Sequence, residues 1–281
     1  MQIILSTGCL YEYLLSDVFW IARSSGFDGI ELLINRRNSS VETHHIQGLS
    51  VDYNMPILSL HSPFMVCDGW GGFWDSVHKS LDMALELSIP LVNFHPPTGF
   101  ILRHHLNSEL SEYIWIYRDI LEGSGIVLTI ENLPTLRFFR KLFIDRFFPH
   151  LVNNAYDIAK FARENGVYVT FDTTHIGTMS VDLLDAYDVF KDRIANIHLS
   201  DYDGRSQHLL PGKGHLPLEK LLMQVKRDRF EGIITLETNP AAMESADKAK
   251  AARNAKQSLL YIRNALRDSS LTTETQRHGG K

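Results

Sequence analysis

The feature that most constrains this chain is a rhythm of eight short, apolar, β-rich runs. They recur at intervals of about 25 to 40 residues, with helix-like stretches between them. The runs are IILSTG (3–8), GIELLI (29–34), ILSLHS (57–62), LVNFHP (91–96), IVLTIEN (126–132), VYVTFDT (167–173), IANIHLS (194–200) and GIITLETN (232–239). Between them, segments 75–88, 154–166 and 217–228 repeat apolar residues at i, i+3 and i+4, and Gly166 stands where a helix C-cap belongs. Apolar strands alternating with helices imply parallel pairing covered on both faces. Eight such units suit a closed (β/α)8 barrel better than an open sheet. The expectation is an α/β chain with a single barrel domain over residues 1–268. The polar, glycine-ended tail 269–281 has nothing to bury and is expected to be disordered.

Composition removes several function classes. A net charge of −5 supplies no overall basic field, so nucleic acid is an unfavourable partner. The two cysteines, Cys9 and Cys67, form no C-x-x-C, which argues against a disulfide framework and against a thiolate zinc knot. The opening MQIILSTGCL lacks a basic n-region, and nothing later reaches about 18 consecutive apolar residues. The sequence therefore reads as cytoplasmic and free of membrane spans.

The chemistry lies at the strand ends. Six consecutive runs close on His61, His95, Glu131, Asp172, His198 and Glu237, with His175 and His208 just beyond. In such a barrel every strand C-terminus opens on one face, where the active site lies. Residues from His61 to Glu237 would thus converge around one axis. Imidazoles and carboxylates in one mouth suit a borderline divalent cation. Three carboxylates without a cation would repel one another. Any one of these histidines, taken singly, is more often a hydrogen-bonded structural residue than a ligand; six consecutive strands ending in His, Asp or Glu favour a metal.

The ordered motifs LHSPF, NFHPP, IENLP, FDTTH, IHLSD, GKG and LETNP resemble the xylose-isomerase-like TIM-barrel superfamily. That group includes sugar and sugar-phosphate isomerases and epimerases, and apurinic endonucleases of the endonuclease IV type. The resemblance spans residues 3 to 240. It implies one Mn2+ or Zn2+ held by Glu131, Asp172, His198 and Glu237, the two glutamates also serving as the acid/base pair, with His175 contacting substrate. The endonucleases add zincs, up to three in all, whose extra ligands match His61 and His95 for one ion and His175 and His208 for another. Two departures weigh against the endonuclease: Ser206 replaces an expected Asp, so that Asp201 or Asp203 would have to move in, and Lys213 replaces the acidic residue of the Gly-x-Gly turn. A clear match for the DNA-intercalating loop is also missing, although Arg36 and Arg37 lie there.

The resulting expectation is a metal-dependent sugar or sugar-phosphate isomerase or epimerase working through an enediolate, with a small carbohydrate as partner. The alternative is a zinc phosphodiesterase acting on abasic DNA, and a third class is a non-catalytic sugar- or metal-binding barrel. Trp70 and Trp74, with Phe73, are candidates for an apolar substrate wall in the loop DGWGGFW (68–74). Lys213 is a candidate for an anionic group, against the plainer reading of a solvated loop lysine. The segment LRFFRKLFIDRFFPHL (136–151) reads first as an amphipathic helix packed on the barrel, with a substrate lid, a homodimer contact or a single-strand nucleic-acid strip as alternatives.

Overall fold

A computed structural model describes residues 1–97, 103–135, 155–179 and 181–267. Eight parallel strands close into a barrel in chain order: β1 (Gln2–Ser6), β2 (Gly29–Leu33), β3 (Ile57–His61), β4 (Leu91–Phe94), β5 (Val127–Glu131), β6 (Tyr168–Asp172), β7 (Ile194–Leu199) and β8 (Ile233–Leu236). β1 pairs with β8 to complete the ring. All eight expected runs are strands. The segment 136–151 and the tail 269–281 lie outside the described residues.

The helices α1 (Leu15–Ser25), α2 (Thr43–Asp52), α3 (Phe73–Leu87), α4 (Arg103–Ile120), α5 (Ala155–Asn165), α7 (Leu183–Phe190), α8 (Leu218–Arg227) and α9 (Lys248–Arg267) alternate with the strands. A further short helix, α6 (Thr173–Thr178), follows β6 directly. α5 ends where Gly166 turns left-handed at φ 60°. A Cβ there would come within 2.6 Å of the Arg118 guanidinium, which itself donates to Asn165 O. Among the described residues no helix is long and apolar enough to cross a membrane.

The strands are buried on both faces, but the faces differ in chemistry. Outward residues such as Leu128, Ile130, Val169, Phe171, Ile197 and Leu236 join the helices in one continuous apolar core. Inside the barrel, Ile4, Leu91 and Ile233 plug the N-terminal end. Above that plug the interior turns polar. Thr129 Oγ1 lies 3.1 Å from Asn93 Oδ1 and 2.8 Å from Thr170 Oγ1, and Thr235 Oγ1 donates to Asn196 Oδ1 at 2.8 Å. Strands that read as plain apolar runs therefore alternate strictly: VLTIE, YVTFD and IITLE each place a threonine inward two residues before an acid. Buried polar groups persist only when hydrogen-bonded, and this ring satisfies its members mutually.

Candidate metal centre

The layer above the threonines holds the strand-end acids and imidazoles. Glu131, Asp172 and His198 are fully buried, and Glu237 is largely so. One ligand atom from each of these four residues lies within 4.8 Å of the others. Two further groups meet the same limit: His61, His95 and Glu131, and Asp172, His175 and His208. The sequence-predicted ring is thus brought together, with Glu131 and Asp172 each shared between groups.

Local structure explains each placement. Asn132, next to Glu131, exchanges two bonds with the β6 end: its Nδ2 donates to Asp172 O at 3.0 Å, and its Oδ1 accepts from Asp172 N at 2.8 Å. Asp172 Oδ1 caps α6 by accepting from His175 N at 2.7 Å, which turns His175 back toward the axis. His175 Nδ1 then donates to Asn132 O at 2.8 Å. Thr173 Oγ1 donates to Ser200 O at 2.7 Å and so ties the start of α6 to the end of β7. His208 sits at φ 56°, a left-handed conformation that costs a non-glycine residue of order 1–3 kcal/mol. Its Nδ1 lies 3.2 Å from Ser200 Oγ and 4.0 Å from Asp172 Oδ2.

The donor set fits a divalent cation on an observation independent of residue type. Glu131 Oε1, Asp172 Oδ2 and His198 Nδ1 are buried atoms that make no well-directed hydrogen bond, only charge contacts such as those to His175 at 3.2 and 3.6 Å and to Glu237 at 2.9 Å. Orphaned buried polar atoms are rare and costly, and here three belong to one four-residue group. Two histidines are also preset for ligation. His61 Nδ1 donates to Ser62 O at 2.7 Å and His175 Nδ1 to Asn132 O, leaving Nε2 of each for the site.

Electrostatics without a cation show the strain of this packing. Burial alone would push Glu131 up, but His198 and His95 and the contacts from His175 and His198 hold it well below the usual carboxylate range. Glu237 is likewise lowered, burial being outweighed chiefly by His198. Burial pushes Asp172 up, against the pull of His175 and His208. Burial opposes charge on His198, yet Glu237, Glu31 and Glu131 raise it well above the ordinary histidine value. His175, facing Asp172 and Glu131, rises despite burial to about 9. His95 is lowered by burial, only partly offset by Glu131.

A cavity of about 860 Å³ opens on the centre. His95, Glu131, His175, His208 and Glu237 face it, together with Phe64, Leu133, Arg36 and Arg37. The indoles expected to wall it stand elsewhere. Trp70 is buried and donates Nε1 to Ser39 O at 2.9 Å. Trp74 donates to Glu109 Oε1 at 2.7 Å and stacks on Tyr113, with ring centroids 3.9 Å apart. The aromatics on the wall are Tyr11 and Phe64, the latter stacked on His95 at 5.6 Å. Lys213 is exposed and outside the cavity lining, whereas Arg36 and Arg37 bring positive charge to it. Arg36 is anchored by an Nε bond to Val66 O at 3.2 Å.

Neither aspartate considered as a replacement for the missing acid at 206 reaches the centre. Asp201 accepts from Tyr202 N, Leu216 N and Gly212 N, and Asp203 from Arg205 N and Ser206 N; both shape the loop after β7. Sequence reading missed Glu31, whose Oε2 lies 3.1 Å from His198 Nε2. It also missed Asn93, which donates to Glu131 Oε2 at 2.6 Å. A usable signal for Asn93 was its inward position two residues before His95; Glu31 had none, since β2 carries no ligand at its end.

Comparisons with known proteins agree with the fold. An uncharacterized protein of Mycobacterium leprae (strain TN) is 25% identical over 257 residues, covering 86% of this chain and 90% of that protein. One from Mycobacterium tuberculosis (strain ATCC 25618 / H37Rv) is 25% identical over 265 residues, covering 87% and 91%. Among solved structures, D-psicose 3-epimerase in the presence of D-fructose has a TM-score of 0.73 at 18% identity, covering 95% of this chain and 99% of that one. The IOLI protein with a binding zinc atom has a TM-score of 0.71 at 16% identity, covering 93% and 98%. An AP endonuclease, family 2, from Brucella melitensis has a TM-score of 0.70 at 16% identity, covering 94% and 99%. The family described as xylose isomerase-like TIM barrel matches residues 19–265, and this chain belongs to it.

Proposed function

We propose that this protein is a divalent-metal-dependent isomerase or epimerase of a small sugar or sugar phosphate. The observation that carries the reading is an asymmetry within the four-residue group. Glu131 and Glu237 border the cavity, Glu131 buried at its floor and Glu237 partly exposed, while Asp172 and His198 do not reach it. Two carboxylates open to one cavity are placed to exchange protons with a bound substrate. A divalent cation held by Glu131, Asp172, His198 and Glu237 would supply Lewis-acid polarisation of a carbonyl. One glutamate takes the proton from the carbon beside that carbonyl, giving an enediolate, and the other returns a proton from the opposite side. Without substrate both carboxylates stay ionised, the state a base requires, so the glutamate that returns a proton must first take one up from solvent that reaches the cavity. His175, anchored at Asn132 O, faces the cavity and would hold a substrate oxygen. Where the substrate carries a phosphate or carboxylate, Arg36 and Arg37 are its natural partners, with guanidinium forks suited to such groups. The related barrels include an epimerase and a zinc-binding protein, which supports a metal-dependent sugar chemistry.

A second reading has one specific observation in its favour. The groups His61/His95/Glu131 and Asp172/His175/His208 offer places for further zincs, as hydrolysis of a phosphodiester in abasic DNA would use. The deciding experiment follows carbon-bound hydrogen. Metal-loaded protein is incubated in D2O with a panel of ketoses and ketose phosphates. Metal-dependent deuterium uptake beside the carbonyl, abolished in Glu131→Gln and Glu237→Gln, is the expected result. No exchange with any of them, together with metal-dependent cleavage of an abasic oligonucleotide, would transfer the assignment to the phosphodiesterase.

A further inference from the structure

His198 is the most deeply buried imidazole of the centre, and its second nitrogen is held differently from the others. His61 and His175 send Nδ1–H to backbone carbonyls, but His198 Nε2 meets a carboxylate, Glu31 Oε2, at 3.1 Å. Glu31 projects from β2, one of the two strands without a ligand at their ends, and is fully buried. Among the described residues its ion-pair partner is His198. Its Oε2 also accepts from Ser59 Oγ at 2.8 Å and from Asn196 Nδ2 at 3.4 Å. Thr235 Oγ1 donates to Asn196 Oδ1, which turns the Asn196 amide nitrogen toward Glu31. A network from β2, β3, β7 and β8 thus fixes one carboxylate oxygen beneath one ring nitrogen. Burying a carboxylate costs several kcal/mol unless it is paired and hydrogen-bonded, so mere packing would be better served by an apolar side chain here. On the far side of the ring, Nδ1 has no hydrogen-bond partner and lies 2.9 Å from Glu237 Oε2 and 3.4 Å from Glu131 Oε2.

We propose that Glu31 is a positioning residue: it keeps the proton of His198 on Nε2 and aims the Nδ1 lone pair into the four-residue group. The inference rests on the metal reading of that group. It follows from tautomer chemistry, because a neutral imidazole whose Nε2–H is claimed by an acceptor can ligate only through Nδ1. Glu31→Gln keeps the role, since an amide oxygen can replace Oε2 and accept the same bonds. Glu31→Leu removes the acceptor, and Glu31→Asp withdraws it from the ring.

The test uses whole protein with Zn2+ as the probe. Affinity for the first equivalent is measured by chelator competition, and the coordinating nitrogen of His198 by 15N imidazole spectra of the zinc-loaded protein, with His198→Gln as the control that removes the site. The expected result is a loss of about 10- to 100-fold in Glu31→Leu, the range for groups that orient metal ligands, with Nδ1 coordination no longer uniform. Glu31→Gln should keep Nδ1 coordination and most of the affinity. If Glu31→Leu fails to fold, Glu31→Asp carries the same expectation of loss. Wild-type affinity and Nδ1 coordination in a folded Leu or Asp variant would overturn the proposal alone. A wild-type protein that takes up no Zn2+ would overturn the metal reading and this proposal with it.

Discussion

Raising the pH should tighten metal binding, by an amount the site fixes. A protonated imidazole has no lone pair to give, and His198 is held protonated near neutrality by Glu237, Glu31 and Glu131 despite its burial. Glu131 and Glu237 are already ionised. Filling the four-residue group must therefore expel one proton, from His198. One released proton per ion lowers the apparent Kd about tenfold per pH unit, or about 1.4 kcal/mol. The slope flattens once the pH passes the raised value of His198. If an ion also enters a group containing His175, whose value is pushed up to about 9, a second proton leaves with that ion and two protons are released at saturation. At the acid end Asp172, pushed up by burial, adds to the release. The assay is calorimetric titration with Zn2+ from about pH 6 to about pH 8 in buffers of different ionisation enthalpy, which counts protons directly. Affinity independent of pH, with no buffer-dependent heat, would refute the reasoning.

Without metal, the stability of the fold should be greatest between about pH 4.5 and about pH 6.5. His198 and His175 have raised values, so their contribution is complete below the unfolded histidine value and is lost as pH climbs through the folded ones. Glu131 and Glu237 are lowered, so theirs is present above the unfolded glutamate value and lost only in stronger acid. Thermal melts of metal-free protein should therefore decline toward pH 9 while Zn2+-loaded protein holds; a rising metal-free Tm would contradict this. Thr129→Val keeps the shape but strips the hydroxyl bonded to Asn93 and Thr170, at a cost of about 1–3 kcal/mol in urea unfolding. An unchanged midpoint would mean the polar ring adds nothing to stability. Glu237→Gln should lower kcat on the isomerised substrate by about 10²- to 10⁴-fold, the usual worth of an acid/base group. A rate within a factor of two of wild type would remove Glu237 from proton transfer.

The barrel was legible because each strand's outward residues had to be apolar to meet the helices, and that signal survives in a single sequence. The ligand ring was legible for a related reason: a His, Asp or Glu at the close of an apolar run has no packing rationale, and six in succession point to one mouth. Glu31 escaped because GIELL closes on leucine and reads as uniformly buried, while its carboxylate faces His198 from a strand far away in sequence. The fates of Trp70 and Trp74 depended on partners more than thirty residues distant, Ser39 and Glu109, which loop composition does not encode. Lys213 belongs to the same class, since the loop after β7 is folded around Asp201 rather than toward the cavity. The left-handed backbone of His208 likewise arises from tertiary constraint, its carbonyl being held by Asn239 N at 2.8 Å.

Metal content per chain, measured by elemental analysis of protein purified without chelators, bears most directly on the central claim. The account predicts about one equivalent of Mn2+, Co2+ or Zn2+, lost in His198→Gln and retained in His61→Gln. Two or three zincs, falling in steps with His61→Gln and His208→Gln, would shift the assignment to the multi-ion phosphodiesterase. Protein that carries no metal and takes up none on reconstitution would contradict the account.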